Sequence, residues 1–232
     1  MQHEYSRALI VGAGKGLSAA IARVLSREGL QLALAARNIA KLASLCKETG
    51  ARAFACDVAE PEQIATLFEL MDQSLGPADV VVYNASARVR GPFTSLMPAE
   101  VEKTIRVSAF GGFLVAQQAV NRMLKAGRGA IFFTGASASV KGYAESAPFA
   151  MGKFALRGLA QSMARELAPK GIHVAHFVID GGIKSAERSE PAGVSDSLLL
   201  PEAIAENYLH VLRQHRSAWT FEMELRPWVE KF

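Results

Sequence analysis

Four short runs of consecutive apolar residues punctuate this chain: Ala8-Leu9-Ile10-Val11, Leu32-Ala33-Leu34-Ala35, Val80-Val81-Val82-Tyr83 and Ala130-Ile131-Phe132-Phe133. None of them alternates with polar residues. A strand with one wet face alternates, whereas an unbroken apolar run needs cover on both faces, as in a parallel sheet. The segments between the runs have helical period. Leu17 to Leu30 puts Ile21, Val24 and Leu25 on one face, and Pro61 opens a helix carrying Ile64, Leu67, Phe68 and Met71. Strand and helix in alternation mean βαβ units joined by right-handed crossovers. Further strands are expected at Ala53-Phe54-Ala55, at Ile172 to Ile179 and at Trp219 to Leu225. Further helices are expected at Ile39 to Glu48, Pro98 to Lys125, Pro148 to Ala168 and Pro201 to Gln214. The pattern is α/β: one doubly wound parallel sheet of about seven strands, helices on both faces, in a single domain over residues 1–232.

Composition removes several function classes. With 50% hydrophobic residues the chain is no disordered tail. Its two cysteines, Cys46 and Cys56, make neither a disulfide framework nor a four-ligand zinc site, and they read as buried small hydrophobes in a reducing compartment. No His, Asp, Glu and Cys grouping has metal spacing. The net charge is +4, but Lys and Arg are scattered rather than gathered into a stripe, so no nucleic-acid partner is expected. No apolar stretch approaches the roughly 20 residues of a membrane span. The residues Met1 to Arg7 show no signal-peptide pattern, which points to the cytoplasm.

The first run ends in Gly12-Ala13-Gly14-Lys15-Gly16-Leu17. Glycines between a first strand and a helix let the backbone approach a pyrophosphate at the helix N-terminus, where free N–H groups favour anions. This makes the expected fold Rossmann-like and the expected ligand a dinucleotide. The second run leads to Ala36-Arg37. An NAD site places an acid there for the ribose 2′-hydroxyl; here stands a cation, with Lys15 as a second. Two cations at one corner suit the 2′-phosphate of NADP rather than NAD.

With Asp57-Val58, Tyr83-Asn84-Ala85 and the segment from Phe149 through Pro169-Lys170-Gly171-Ile172 in the same order, the chain resembles a short-chain dehydrogenase/reductase along nearly its whole length. The resemblance implies a small-molecule alcohol or carbonyl substrate and hydride transfer. It implies that Gly12, Gly14, Lys15, Gly16, Leu17, Arg37, Asp57, Val58, Asn84 and Ala85 hold NADP, with Asp57 on adenine and Lys153 on the nicotinamide ribose.

The departures from the family pattern concern the chemistry. Ser18 and Ser86 stand where the family has glycines. The family's Tyr-x-x-x-Lys puts both groups on one side of a helix, and the ammonium lowers the phenol pKa from about 10 so that it serves as acid/base near neutral pH. Here the stretch reads Phe149-Ala150-Met151-Gly152-Lys153. Losing a positioned acid/base costs about 10²–10⁴-fold. The chain is similar in this respect to a divergent subgroup with phenylalanine in place of the tyrosine. The family serine falls on Ala136 or, one residue on, on Ser137; the family asparagine aligns with Ser108. Tyr143, in the loop before Phe149, is the alternative proton donor. Two readings follow: an NADP-dependent reductase without the usual tyrosine, or an inactive NADP-binding sensor or scaffold that kept the fold. A third has cofactor binding lost as well.

Asp180-Gly181-Gly182 replaces the family's Pro-Gly beside the nicotinamide. The polar stretch Ser185 to Ser197 is expected to be a mobile lid or poorly ordered. Phe93, Tyr143 and Phe149 hint at a hydrophobic carbonyl compound. His173 and His176 read as structural residues on the sixth strand. The aromatic tail Trp219 to Trp228 and the family habit point to a homodimer or homotetramer.

Overall fold

The computed structural model describes residues 5–191 and 193–229. The segment read for a signal peptide, position 192 of the 185–197 stretch and the last three residues lie in part or wholly outside these. Seven strands form one sheet: β1 (Arg7–Val11), β2 (Gln31–Ala36), β3 (Arg52–Ala55), β4 (Val80–Tyr83), β5 (Gly129–Thr134), β6 (Ile172–Ile179) and β7 (Glu222–Leu225). Their order is β3-β2-β1-β4-β5-β6-β7, and every pair is parallel. The unbroken apolar runs are thus the central strands of a doubly wound sheet.

Alternate residues of each strand feed two cores. Ile10, Leu34, Val82, Phe132 and Phe177 face α1 (Leu17–Arg27) and α7 (Pro201–Leu212). Leu9, Val11, Val81, Tyr83, Ile131 and Phe133 face α3 (Pro61–Ser74), α5 (Gly111–Ala126) and α6 (Ala147–Leu167). Among the described residues no helix is long and apolar enough to cross a membrane.

Some elements differ from the sequence expectation. The helix expected at Ile39 begins as a 3₁₀ turn over Ile39–Leu42, and the α-helical part, α2, covers Ala43–Thr49. The Asn38 side chain accepts from the Ala40 N–H at 3.1 Å and so starts the tight turn. The helix expected over Pro98–Lys125 is α4 (Pro98–Ile105), a π-helical turn at Arg106–Phe110, then α5. There the Tyr83 hydroxyl donates to the Val107 carbonyl at 2.5 Å, a side chain inserted into the helical ladder. The last strand is shorter than expected because Trp219 leaves the sheet edge to stack on His173 with ring centroids 4.7 Å apart.

Candidate functional site

The strand order reverses between β1 and β4, so the loops after them diverge and leave a crevice at the carboxyl ends of the strands. A cavity of about 830 Å³ opens there. Its walls come from the turn after β1 (Gly12 to Lys15), from Arg37 and Lys41 after β2, from Asp57 and Val58 after β3, and from Asn84 to Arg88 after β4. Lys103, Val107 and Glu187 close the outer side. Five cations, Lys15, Arg37, Lys41, Arg88 and Lys103, face two carboxylates, Asp57 and Glu187. Such a surplus inside a concave wall attracts an anionic ligand.

The glycine turn is built for close approach. Gly12 has φ +81°, and a Cβ there would lie 2.4 Å from the Ala85 nitrogen. Gly14 and Gly16 have no such constraint: a Cβ at either would meet nothing of the protein within 4 Å. The protein's own packing therefore does not demand glycine at these two positions, and the space beside them suits a ligand pressed against the backbone. Helix α1 starts at Gly16 with no side-chain cap, so its first N–H groups are available to an anion. The donor set and the free space fit a dinucleotide pyrophosphate.

Ser18, in place of the family glycine, is 2% exposed. Its hydroxyl donates to the Gly12 carbonyl at 3.0 Å and accepts from Asn84 Nδ2 at 2.6 Å. One side chain thereby ties the glycine turn to the loop after β4, both of them cavity walls. Asp57 is fixed in its own turn, its N–H donating to Gln63 Oε1 at 2.9 Å and its Oδ1 accepting from the Ala59 N–H at 3.0 Å. Lys41 was missed by sequence reasoning. The turn capped by Asn38 brings it round onto the wall that carries Arg37, and the Asn38 cap was the signal for it. Gly16 and Leu17 are not among the wall residues, and Leu17, the first residue of α1, turns its side chain into the core.

Phe149 lies in the first turn of α6. Its ring carries two cations: Arg88 Cζ is 4.8 Å and Lys153 Nζ 5.9 Å from the centroid. Lys153 is 3% exposed and donates to the Thr134 carbonyl at 2.7 Å rather than lining the cavity. No carboxylate lies within 4 Å of it among the described residues, and burial brings its pKa down to about 8. Ser108, at the place of the family asparagine, is fully buried on the π-helical turn, and its hydroxyl accepts from the Ala87 N–H at 3.2 Å.

The expected serine and the alternative donor are not on the cavity wall either. Ser137 stands near enough to Asp180, the carboxylate at the end of β6, to favour its ionised form, and Asp180 accepts from Lys141 Nζ at 2.9 Å and pairs with Arg226 at 3.3 Å. Burial works to raise the Asp180 pKa, but these partners outweigh it and hold the group below the usual carboxylate range. Ala136 is extended, and its N–H donates to Ser139 Oγ at 3.2 Å. Tyr143 is 50% exposed, near enough to Lys141 to interact electrostatically, and does not line the cavity. The structure brings Phe149, Lys153 and Arg88 together; of the residues considered for the chemistry only Arg88 lines the cavity, while Phe149, Lys153, Ser137 and Tyr143 are all off its wall.

The two histidines point to opposite faces of β6. His173 Nε2 lies 2.8 Å from the Thr220 carbonyl. His176 Nδ1 lies 3.0 Å from Glu222, which is held by Arg157 through two 2.7 Å hydrogen bonds. Burial takes the His176 pKa down to about 4. Both residues join the edge strand to the sheet.

Comparison with known proteins places the fold among oxidoreductases. The family model described as short chain dehydrogenase matches residues 6–190. An uncharacterized oxidoreductase of Staphylococcus aureus (strain USA300) is 27% identical over 223 residues, spanning 95% of this chain and 96% of that one. The crystal structure of a short-chain dehydrogenase from Rhodopseudomonas palustris is 35% identical with a TM-score of 0.83, covering 96% of this chain and 99% of that chain. An alcohol dehydrogenase from the archaeon Thermococcus sibiricus, complexed with 5-hydroxy-NADP, is 25% identical with a TM-score of 0.85, covering 98% and 99%.

Proposed function

The chain belongs to the short chain dehydrogenase family, and from that premise we propose that it binds NADP in preference to NAD and passes hydride between the nicotinamide and a small alcohol or carbonyl compound, with Phe149 standing where the family has its tyrosine. The observation that carries the reading is the cationic cavity at the switch point of the sheet, with Lys15, Arg37 and Lys41 on its wall and no acid after β2. These three cations would take the 2′-phosphate. Gly12, Gly14, Gly16 and Leu17 would offer backbone to the pyrophosphate, Asp57 and Val58 would meet adenine, and Asn84 and Ala85 would line the nicotinamide half. Lys153 would exchange the Thr134 carbonyl for the ribose hydroxyls.

When bound, the nicotinamide supplies or accepts the hydride. Phe149 holds no transferable proton. Lys153, brought to about 8 by burial, holds one close to the Phe149 ring. A group with such a pKa is suited to proton transfer near neutrality. Ser137, beside Asp180, and the half-exposed Tyr143 are the other candidate donors. The exposed apolar residues Phe110 on the π-helical turn and Phe113 on α5, with Met151 and Phe154 on α6, favour a symmetric homodimer or homotetramer of this single cytoplasmic domain.

The test is turnover of a carbonyl panel with NADPH, followed at 340 nm, for the wild type and Phe149→Tyr. Restoring a positioned acid should raise kcat by about 10²-fold or more. No turnover by either protein, with NADPH bound, would overturn the reductase and leave the sensor or scaffold.

A further inference from the structure

Arg106, Val107 and Ser108, consecutive residues of the π-helical turn, are each tied to a different part of the chain around the cavity. Arg106 Nε donates to the Ala59 carbonyl at 3.0 Å. Ala59 belongs to the turn after β3, and its own N–H donates to Asp57 Oδ1 at 3.0 Å. Arg106 thus holds the far end of the turn that presents Asp57 and Val58 to the cavity. Val107 lines the cavity itself, and its carbonyl accepts from the Tyr83 hydroxyl at the end of β4. The Ser108 hydroxyl accepts from the Ala87 N–H at 3.2 Å and donates to the Ala87 carbonyl at 3.4 Å. That pins the loop after β4 at a residue of the cavity wall.

Packing repeats the pattern. At Gly111, where the turn passes into α5, a Cβ would lie 2.7 Å from the Val58 carbonyl oxygen and 2.6 Å from the Tyr83 hydroxyl. At Gly152, one residue before Lys153 on α6, a Cβ would lie 2.8 Å from Ser108 Cβ. The turn is therefore seated between the loop after β3 on one side and the helix that carries Phe149 and Lys153 on the other. Its ladder is wider than that of an α-helix, with the Gly111 N–H donating to the Arg106 carbonyl. Such turns recur at functional sites. Neither Arg106 nor Ser108 lines the cavity, so each acts on it only through the wall it holds.

We propose that Arg106 and Ser108 are positioning residues for the cofactor that act on its opposite halves: Arg106 on the adenosine half, through Ala59 and Asp57, and Ser108 on the nicotinamide half, through Ala87. The proposal rests on the reading of the cavity as an NADP site. A wall that is already ordered spares the ligand the cost of ordering it, so losing either tie weakens binding on that side. Because the two ties leave one short turn in different directions, breaking one leaves the other in place.

The probes are NADPH and adenosine 2′,5′-bisphosphate, which carries the adenosine half alone, both titrated calorimetrically. Arg106→Met should weaken the two by the same factor, about threefold or more, and Arg106→Lys, which keeps a donor for the Ala59 carbonyl, should recover part of the loss. Ser108→Ala should weaken NADPH by about threefold or more and leave the bisphosphate within about twofold. Amide hydrogen exchange of the unliganded proteins reads the walls themselves. Peptides over residues 57–60 should exchange about tenfold faster in Arg106→Met alone, and those over 84–88 in Ser108→Ala alone. Equal losses of both probes in Ser108→Ala, or faster exchange along the whole chain in either variant, would make the two residues general supports of the fold and overturn the proposal. Unchanged affinity for both probes in both variants would overturn it too. A wild type that binds neither probe would refute the cofactor reading, and the exchange measurement would still decide whether the turn holds the two walls.

Discussion

Removing the Ser18 hydroxyl tests whether a departure from the family's glycine pattern is a structural part of the cofactor cavity. In Ser18→Ala the Gly12 carbonyl loses a donor at 3.0 Å and Asn84 Nδ2 loses an acceptor at 2.6 Å. A buried polar group left unpaired costs about 1–3 kcal/mol. Gly12 and Asn84 are only half-buried and water can reach them from the cavity, so the low end applies to each. Together they come to about 2 kcal/mol. For a chain of 232 residues the unfolding entropy is about 0.5 kcal/mol per degree, so the melting temperature should fall by about 4 °C. Ser18→Gly should cost about 1 kcal/mol more, because glycine weakens the first turn of α1. NADPH affinity should drop about three- to tenfold in both, since a loosened turn must be reordered on binding. Circular dichroism melts and nicotinamide fluorescence titrations read the two effects. An Ala variant within 1 °C of the wild type and with unchanged NADPH affinity would refute the bridging role and make Ser18 a tolerated small residue.

Two further outcomes follow from buried bases. Lys153 has its folded-state pKa depressed from 10.5 to about 8, so its ammonium costs stability below pH 8, and that cost fades as pH rises towards 10.5. Lys153→Met should therefore raise stability by about 1–3 kcal/mol in urea titrations at pH 7 while weakening NADPH binding; a destabilised variant would contradict the account. His176 falls from 6.5 to about 4 by burial, so the unfolded chain takes up its proton first as pH drops between those values. Stability should fall across that window by up to about 3 kcal/mol from this residue alone, and His176→Gln should flatten the curve; an unchanged slope in the variant would contradict it.

The sheet was legible because its central strands are covered on both faces, which forces unbroken apolar runs at Ala8–Val11, Leu32–Ala35 and Val80–Tyr83. The glycine turn was legible for a similar reason: local chemistry and local geometry coincide within a few residues. What the residues did not disclose depends on long-range contacts. The π-helical turn at Arg106–Phe110 is associated with Tyr83, on a strand more than twenty residues away. Ser18 reads as a missing glycine until Asn84 is seen to donate to it. Arg88 comes from the loop after β4 and Phe149 from α6, sixty residues on, so the contact between them has no local signature. Lys153 shows the opposite failure. Its spacing from Phe149 predicts a cavity residue, while the structure turns its ammonium to the Thr134 carbonyl.

The central claim is that the cavity after β1 and β2 holds NADP through a cationic corner. Fluorescence titration of NADPH and NADH against the wild type and Arg37→Ala measures it directly. NADPH should bind the wild type about tenfold or more tighter than NADH, and Arg37→Ala should remove most of that difference while leaving NADH within about twofold. NADH binding as tightly as NADPH, or no binding of either at millimolar concentration, would contradict the account.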